Sequence, residues 1–143
     1  MNLPHIGVGD PEAFRAPYRI LVVDDNKDAA ESMRMLLQLL GGDVRTACDG
    51  LEALDLAEHF LPHAIVLDIG LPKLDGFQAA RRIRAKEWGK NVALVAVSGW
   101  CRDEDRQNSA DAGFDGHLAK PVPVEQIRNL IQRLLDRAAT GTA

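Results

Sequence analysis

Three short runs in this chain are apolar at every position: Ile20-Leu21-Val22-Val23, Ala64-Ile65-Val66-Leu67 and Val92-Ala93-Leu94-Val95-Ala96-Val97. A strand with one wet face alternates apolar and polar residues. A strand buried on both faces does not, and burial on both faces is the habit of a parallel sheet covered by helices. Asp43-Val44-Arg45-Thr46-Ala47-Cys48 is more mixed and suits an edge strand, and Gly116-His117-Leu118-Ala119 is a short fifth candidate. Helical patterns fill the gaps. Asn26 to Leu40 opens on a capping residue and stops at Gly41-Gly42. Asp49 to Leu61 is expected to turn Leu51, Leu54 and Ala57 inward. Asp75 to Glu87 is expected to bury Phe77, Ala80 and Ile83 and to leave a basic run in solvent. Asp103 to Ala112 is polar, and Val124, Ile127, Ile131 and Leu134 form a stripe on a last helix. Strands alternating with helices predict an α/β, doubly wound, five-stranded parallel sheet with right-handed crossovers.

At 143 residues the chain has the size of one domain. Residues 1–17, with Pro4, Pro11 and Pro17 and no apolar periodicity, read as a flexible leader, and residues 139–143 as a short tail. No apolar run approaches the about 18–20 residues that span a bilayer, and the start lacks the pattern of a secretory signal. No membrane partner is expected. A net charge of −4 argues against nucleic acid. The run Arg81, Arg82, Arg84, Lys86 and Lys90 reads as a solvated helix face, since no aromatics interleave with it. Cys48 and Cys101 are isolated thiols, compatible with a reducing, cytoplasmic setting.

In an open α/β sheet, ligands bind beyond the carboxyl ends of the strands. Here those ends read Asp24-Asp25, Asp68, Ser98-Gly99 and Lys120-Pro121. Two like charges about 4 Å apart cost about 4 kcal/mol at an effective dielectric near 20. Such a carboxylate cluster persists if a cation sits in it, if a lysine reaches it, or if one acid keeps a proton. Oxygen ligands select a hard cation, Mg²⁺ with Mn²⁺ as a substitute, and no His or Cys stands in zinc-like spacing. A carboxylate beside a divalent cation and a lysine suits phosphoryl transfer through an aspartyl phosphate.

The chain resembles the response-regulator receiver domains of two-component signalling, roughly from Tyr18 to Ala138. The resemblance rests on Val22-Val23-Asp24-Asp25-Asn26, Ala47-Cys48-Asp49-Gly50-Leu51-Glu52-Ala53-Leu54, Leu67-Asp68-Ile69-Gly70-Leu71-Pro72-Lys73-Leu74-Asp75-Gly76, Val97-Ser98-Gly99 and Lys120-Pro121, in order. It implies a flavodoxin-like, chemotaxis-regulator-like fold with strand order 2-1-3-4-5. It implies Asp68 as phosphoacceptor, and Asp25, Asp24, Asp68 and the Gly70 carbonyl around Mg²⁺, with Asp24 acting mainly through water. Ser98 matches the switch hydroxyl and Lys120 the phosphate-pairing lysine, before a cis peptide to Pro121. The donor would be a histidine kinase or a histidine phosphotransfer protein.

Two positions depart from the family pattern. His117 stands where a Tyr or Phe is usual, and an imidazole that titrates near pH 6.5 can pack inward or stay solvated. Gly70 offers no side chain to guide a hydrolytic water, and Trp100 is large enough to shield the site, which predicts slow loss of phosphate. With only residues 1–17 and 139–143 outside the pattern, output is expected through a protein–protein contact. The alternatives are a receiver excised from a hybrid kinase, or a Mg²⁺-dependent aspartyl-nucleophile phosphohydrolase. The latter would be expected to carry a second acid at position 70, where this chain has glycine.

Overall fold

The computed structural model describes residues 13–71, 74–99 and 103–139. Five strands, β1 (Arg19–Val23), β2 (Asp43–Ala47), β3 (Ala64–Asp68), β4 (Ala93–Ser98) and β5 (Gly116–Ala119), form one sheet in the order β2-β1-β3-β4-β5. Every neighbouring pair is parallel. The helices are α1 (Lys27–Leu39), α2 (Gly50–Phe60), α3 (Gly76–Ala85), α4 (Asp103–Ala112) and α5 (Val124–Ala139), with a short 3-10 turn at Glu87–Gly89 after α3.

Each apolar run supplies two cores at once, because successive side chains point to opposite faces. Leu21, Val23, Ile65, Leu67, Leu94 and Ala96 pack with Ala53, Ala57, Ala79, Ala80 and Ile83 of α2 and α3. Ile20, Val22, Ala64, Val66, Val95 and Val97 pack with Ala30 and Leu37 of α1 and Ile127 and Ile131 of α5. Fully burying one such aliphatic side chain contributes roughly 1.5–3 kcal/mol.

The helix starts are written into the sequence. Asn26 Oδ1 accepts from the Ala29 amide at 3.1 Å, Asp49 Oδ1 from the Glu52 amide at 2.8 Å, and Asp75 shares a capping box with Gln78. Inside α2, Leu54 and Ala57 face the core as expected, and Leu51 does not. Leu51 is 49% exposed, and the small residues Ala53 and Ala57 face the sheet. Small side chains let α2 come close, and bulk comes from Leu54 and Leu56, which pack against the same core.

The leader expected over residues 1–17 is packed from Ala13 onward, and residues 1–12 lie outside the described residues. Phe14 is 4% exposed and joins the α1/α5 core. The Phe14 amide donates to the Leu40 carbonyl at 2.8 Å, the Arg15 amide to Gln132 Oε1 at 3.0 Å, and Arg128 Nη2 to the Ala13 carbonyl at 2.5 Å. The segment is a strap from the end of α1 to α5. The sequence hid it because its anchors are single residues without period.

Arg84 also departs from the expected solvated face. Its guanidinium donates to the carbonyls of Gly113 (2.9 Å), Gly89 (3.0 Å) and Val92 (2.8 Å), and pairs with Asp115 at 2.9 Å. Asp115 Oδ2 in turn accepts the Leu94 amide at 2.9 Å. One side chain thus ties the end of α3 to the start of β4 and the α4–β5 turn. Gly113 sits there at φ +107°, a conformation that favours glycine.

Candidate functional site

The parallel sheet sends the end of every strand to one edge. Val23 pairs with Leu67 across β1 and β3, so Asp24 and Asp68 emerge side by side. Carboxylate oxygens of Asp24, Asp25 and Asp68 all lie within 4.8 Å of one another. Asp24 is nearly buried, 9% exposed, and its Oδ1 accepts the Asn26 amide at 2.9 Å, while the Asp24 amide donates to the Ala47 carbonyl at 3.1 Å. Asp25 is exposed. Asp68 Oδ1 accepts the Gly70 amide at 2.9 Å.

A lysine reaches this cluster. Lys120 Nζ lies 2.8 Å from Asp68 Oδ2 and 3.4 Å from Asp24 Oδ2. Burial by itself would lower the Lys120 pKa. The hydrogen bond and charge of Asp68, backed by Asp24, more than reverse that and hold the ammonium above its ordinary range. The Lys120 amide donates to the Ser98 carbonyl at 2.8 Å, and the Lys120–Pro121 peptide is cis.

Glycine shapes the loop after Asp68. A Cβ on Gly76 would come within 2.5 Å of Ile69 Cα and 2.9 Å of the Asp68 carbonyl oxygen. The loop can therefore close onto α3 only over a residue without a side chain. Beside the carboxylates lies a cavity of about 520 Å³, lined by Asp24, Asp68 and Lys120 and on its apolar side by Met33, Val122 and Ile127.

Ser98 ends β4, and its Oγ is 2.8 Å from His117 Nε2. The His117 ring is turned into the protein, and its other nitrogen, Nδ1, is 2.9 Å from Ser109 Oγ on α4. Ser109 carried no signal in the sequence, because a lone serine in a weakly amphipathic helix has no local mark of an inward hydroxyl. Trp100 and Cys101 lie outside the described residues. Cys48 is half-buried, with its thiol 3.4 Å from Glu52 Oε2; that carboxylate raises the thiol pKa and keeps it protonated.

Three strand-end carboxylates with a lysine across them, on a sheet of this order, match a known family. Residues 20–132 match the response regulator receiver domain. This chain belongs to that family. Among relatives of the receiver, an uncharacterized 14.6 kDa protein of Leptolyngbya boryana is 40% identical over 115 residues, covering 80% of this chain and 87% of that protein. Response regulator MprA of Mycobacterium sp. (strain KMS) is 37% identical over 123 residues, 86% of this chain but 53% of MprA, so this chain spans about half of that relative. Among solved structures, the receiver domain of sensor histidine kinase PA1611 from Pseudomonas aeruginosa PAO1, with a magnesium ion in its active-site cleft, superposes with TM-score 0.78 at 36% identity, covering 85% of this chain and 99% of that one. The Vibrio cholerae chemotaxis protein CheY4 gives TM-score 0.79 at 28% identity, over 83% and 99% of the two chains. Among the described residues, no helix of this receiver is long and apolar enough to cross a membrane.

Proposed function

We propose that this receiver accepts a phosphoryl group on Asp68 from a histidine kinase or a histidine phosphotransfer protein, in the cytoplasm, and signals by a protein–protein contact. The reading rests on the convergence of Asp24, Asp25 and Asp68 within 4.8 Å, with Lys120 Nζ 2.8 Å from Asp68. Of the two cluster acids that Lys120 reaches, Asp68 is the nearer, at 2.8 Å against 3.4 Å for Asp24.

The donor set is all oxygen and negative, which fits Mg²⁺, with Mn²⁺ as a substitute. The magnesium in the PA1611 receiver supports the same choice. Asp24, Asp25, Asp68 and the backbone carbonyl of Gly70 would hold it. When bound, the ion neutralises charge on the phosphoryl oxygens. An Asp68 oxygen attacks phosphorus. The new O–P bond forms as the P–N bond to the donor imidazole breaks, and that electron pair stays on the departing nitrogen. Lys120 exchanges its contact with Asp68 for a phosphoryl oxygen, and the Ser98 hydroxyl donates to another. Water later cleaves the acyl phosphate, so the domain promotes its own phosphorylation and dephosphorylation and turns over no separate substrate. Gly70 leaves that water without a guiding side chain, and Trp100 is assigned the shielding role.

Incubation of the chain with Mg²⁺ and acetyl phosphate tests this. Intact-mass measurement is expected to show one added phosphoryl group, lost in base and retained in acid, and none on Asp68→Asn. An Asp68→Asn variant that still gains the group would overturn the assignment.

A further inference from the structure

The cavity beside the carboxylates extends past them. Its volume of about 520 Å³ lies within the range of about 300–1,000 Å³ typical of small-molecule sites. The proposed phosphoryl chemistry uses one end of it, where Asp24, Asp68 and Lys120 converge. The other end is apolar. Ala29 and Met33 of α1, Val97 of β4, Val122 of the β5–α5 connection and Ile127 of α5 line it. Val97 and Ile127 also belong to the core under α1 and α5, so the fold itself fixes that wall. Ala29 is exposed as well as lining the cavity, which puts it at the opening.

Apolar walls with a few polar groups at one end suit an amphiphile. Charge then chooses the sign of its head. Carboxylate oxygens of Asp24, Asp25 and Asp68 lie within 4.8 Å of one another, and Lys120 brings one ammonium to them. That ammonium is 2.8 Å from Asp68 Oδ2 and meets Asp24 Oδ2 only at 3.4 Å. A second ammonium relieves the repulsion among three acids that one lysine leaves, and an added carboxylate increases it. The N–H donors of such a head meet carboxylate oxygens while its apolar body leaves water.

We infer that this cavity binds small monocationic amphiphiles, with an ammonium head against Asp24 and a phenyl or short alkyl body between Met33, Val122 and Ile127. Binding needs no phosphate. Its consequence rests on the proposed role of Asp68: the head occupies carboxylates that would hold Mg²⁺, so ligand and ion compete and phosphoryl uptake slows while the cavity is filled.

Phenethylammonium is the probe. Phenylpropanoate changes the sign of the head, and ethylammonium removes the ring. The full chain carries ¹³C-methyl methionine, assigned with Met33→Leu and Met35→Leu. Met35 lies on the same helix but is 55% exposed and outside the cavity. In metal-free buffer the probe is expected to shift the Met33 signal to saturation and to leave Met35 in place. Each control should bind at least about tenfold more weakly, since each lacks one of the two halves. Ala29→Leu, at an exposed helical position that leucine suits, should fill the opening and weaken the probe by a similar factor. An unmoved Met33 signal, phenylpropanoate binding as tightly as the amine, or parental affinity in Ala29→Leu overturns the site. Mg²⁺ should raise the apparent dissociation constant of the probe, and an affinity that Mg²⁺ leaves unchanged overturns the placement of the head. With acetyl phosphate and subsaturating Mg²⁺, the probe should slow the gain of mass in the parent and not in Ala29→Leu; equal rates in the parent with and without saturating probe overturn the competition. A parent that gains no mass even without the probe refutes the Asp68 reading instead, and the methyl titration then decides the binding site by itself.

Discussion

At the scale of single residues, two imidazoles in this receiver show how placement decides chemistry. His117 lies between two hydroxyls near the carboxylates. His63, at the opposite end of the sheet, uses Nδ1 to accept the Arg19 amide at 2.9 Å and stacks edge-on against Tyr18 at 5.5 Å. Burial, then the charge of Arg19, lowers the His63 pKa below its ordinary value near 6.5. The unfolded chain thus binds a proton here that the folded chain refuses. The His63 contribution is complete above the unfolded value and is lost as pH falls through the folded one. Denaturant midpoints are expected to fall between pH 7.5 and pH 5.5, and His63→Gln, whose amide oxygen can still accept the Arg19 amide, should flatten that fall. His59 works in the opposite sense. Its hydrogen bond to the Asp55 carbonyl raises its pKa, so the difference between parent and variant is the quantity to read.

At the scale of elements, the loops that shape the site are held by side chains reaching across them. Arg84 serves the carbonyls of Gly89, Lys90, Val92 and Gly113 and one carboxylate from the last turn of α3, and its side chain is 21% exposed. Arg84→Met keeps much of the stem and removes the donors, leaving part-buried carbonyls without that partner. Unfolding in urea should show a loss of about 2–3 kcal/mol, with the slope unchanged. The sequence reading put Arg84 in solvent with its basic neighbours, because a helix face is judged by neighbouring charges, while the carbonyls it serves lie 5 to 29 positions further along the chain. Strands and caps were legible for the opposite reason. An apolar run and a capping Asn26, Asp49 or Asp75 carry their signal within a few residues.

For the molecule as a whole, the strap from Ala13 to Tyr18 joins the end of α1 to α5, and Phe14 closes the base of that core. Phe14→Ala removes a side chain that is 4% exposed and should cost about 3 kcal/mol by calorimetry or denaturant, leaving phosphoryl uptake intact because the carboxylates stand at the other edge. The carboxylate edge could be read from sequence because strand ends converge in any parallel sheet. The strap, the Ser109 hydroxyl and the Arg84 clasp could not, since each depends on two segments meeting only after folding.

The pairing of Val23 with Leu67 also acts as a phase mark. Along β1, odd positions feed one core and even positions the other, and the count runs straight on into Asp24 and Asp25. Deleting one residue within β1 would exchange the two cores' side chains and, in the same stroke, present the wrong acid to Asp68. A frame slip in this strand cannot leave a folded chain with scrambled chemistry, since the same count that keeps the interior dry keeps the acids in step.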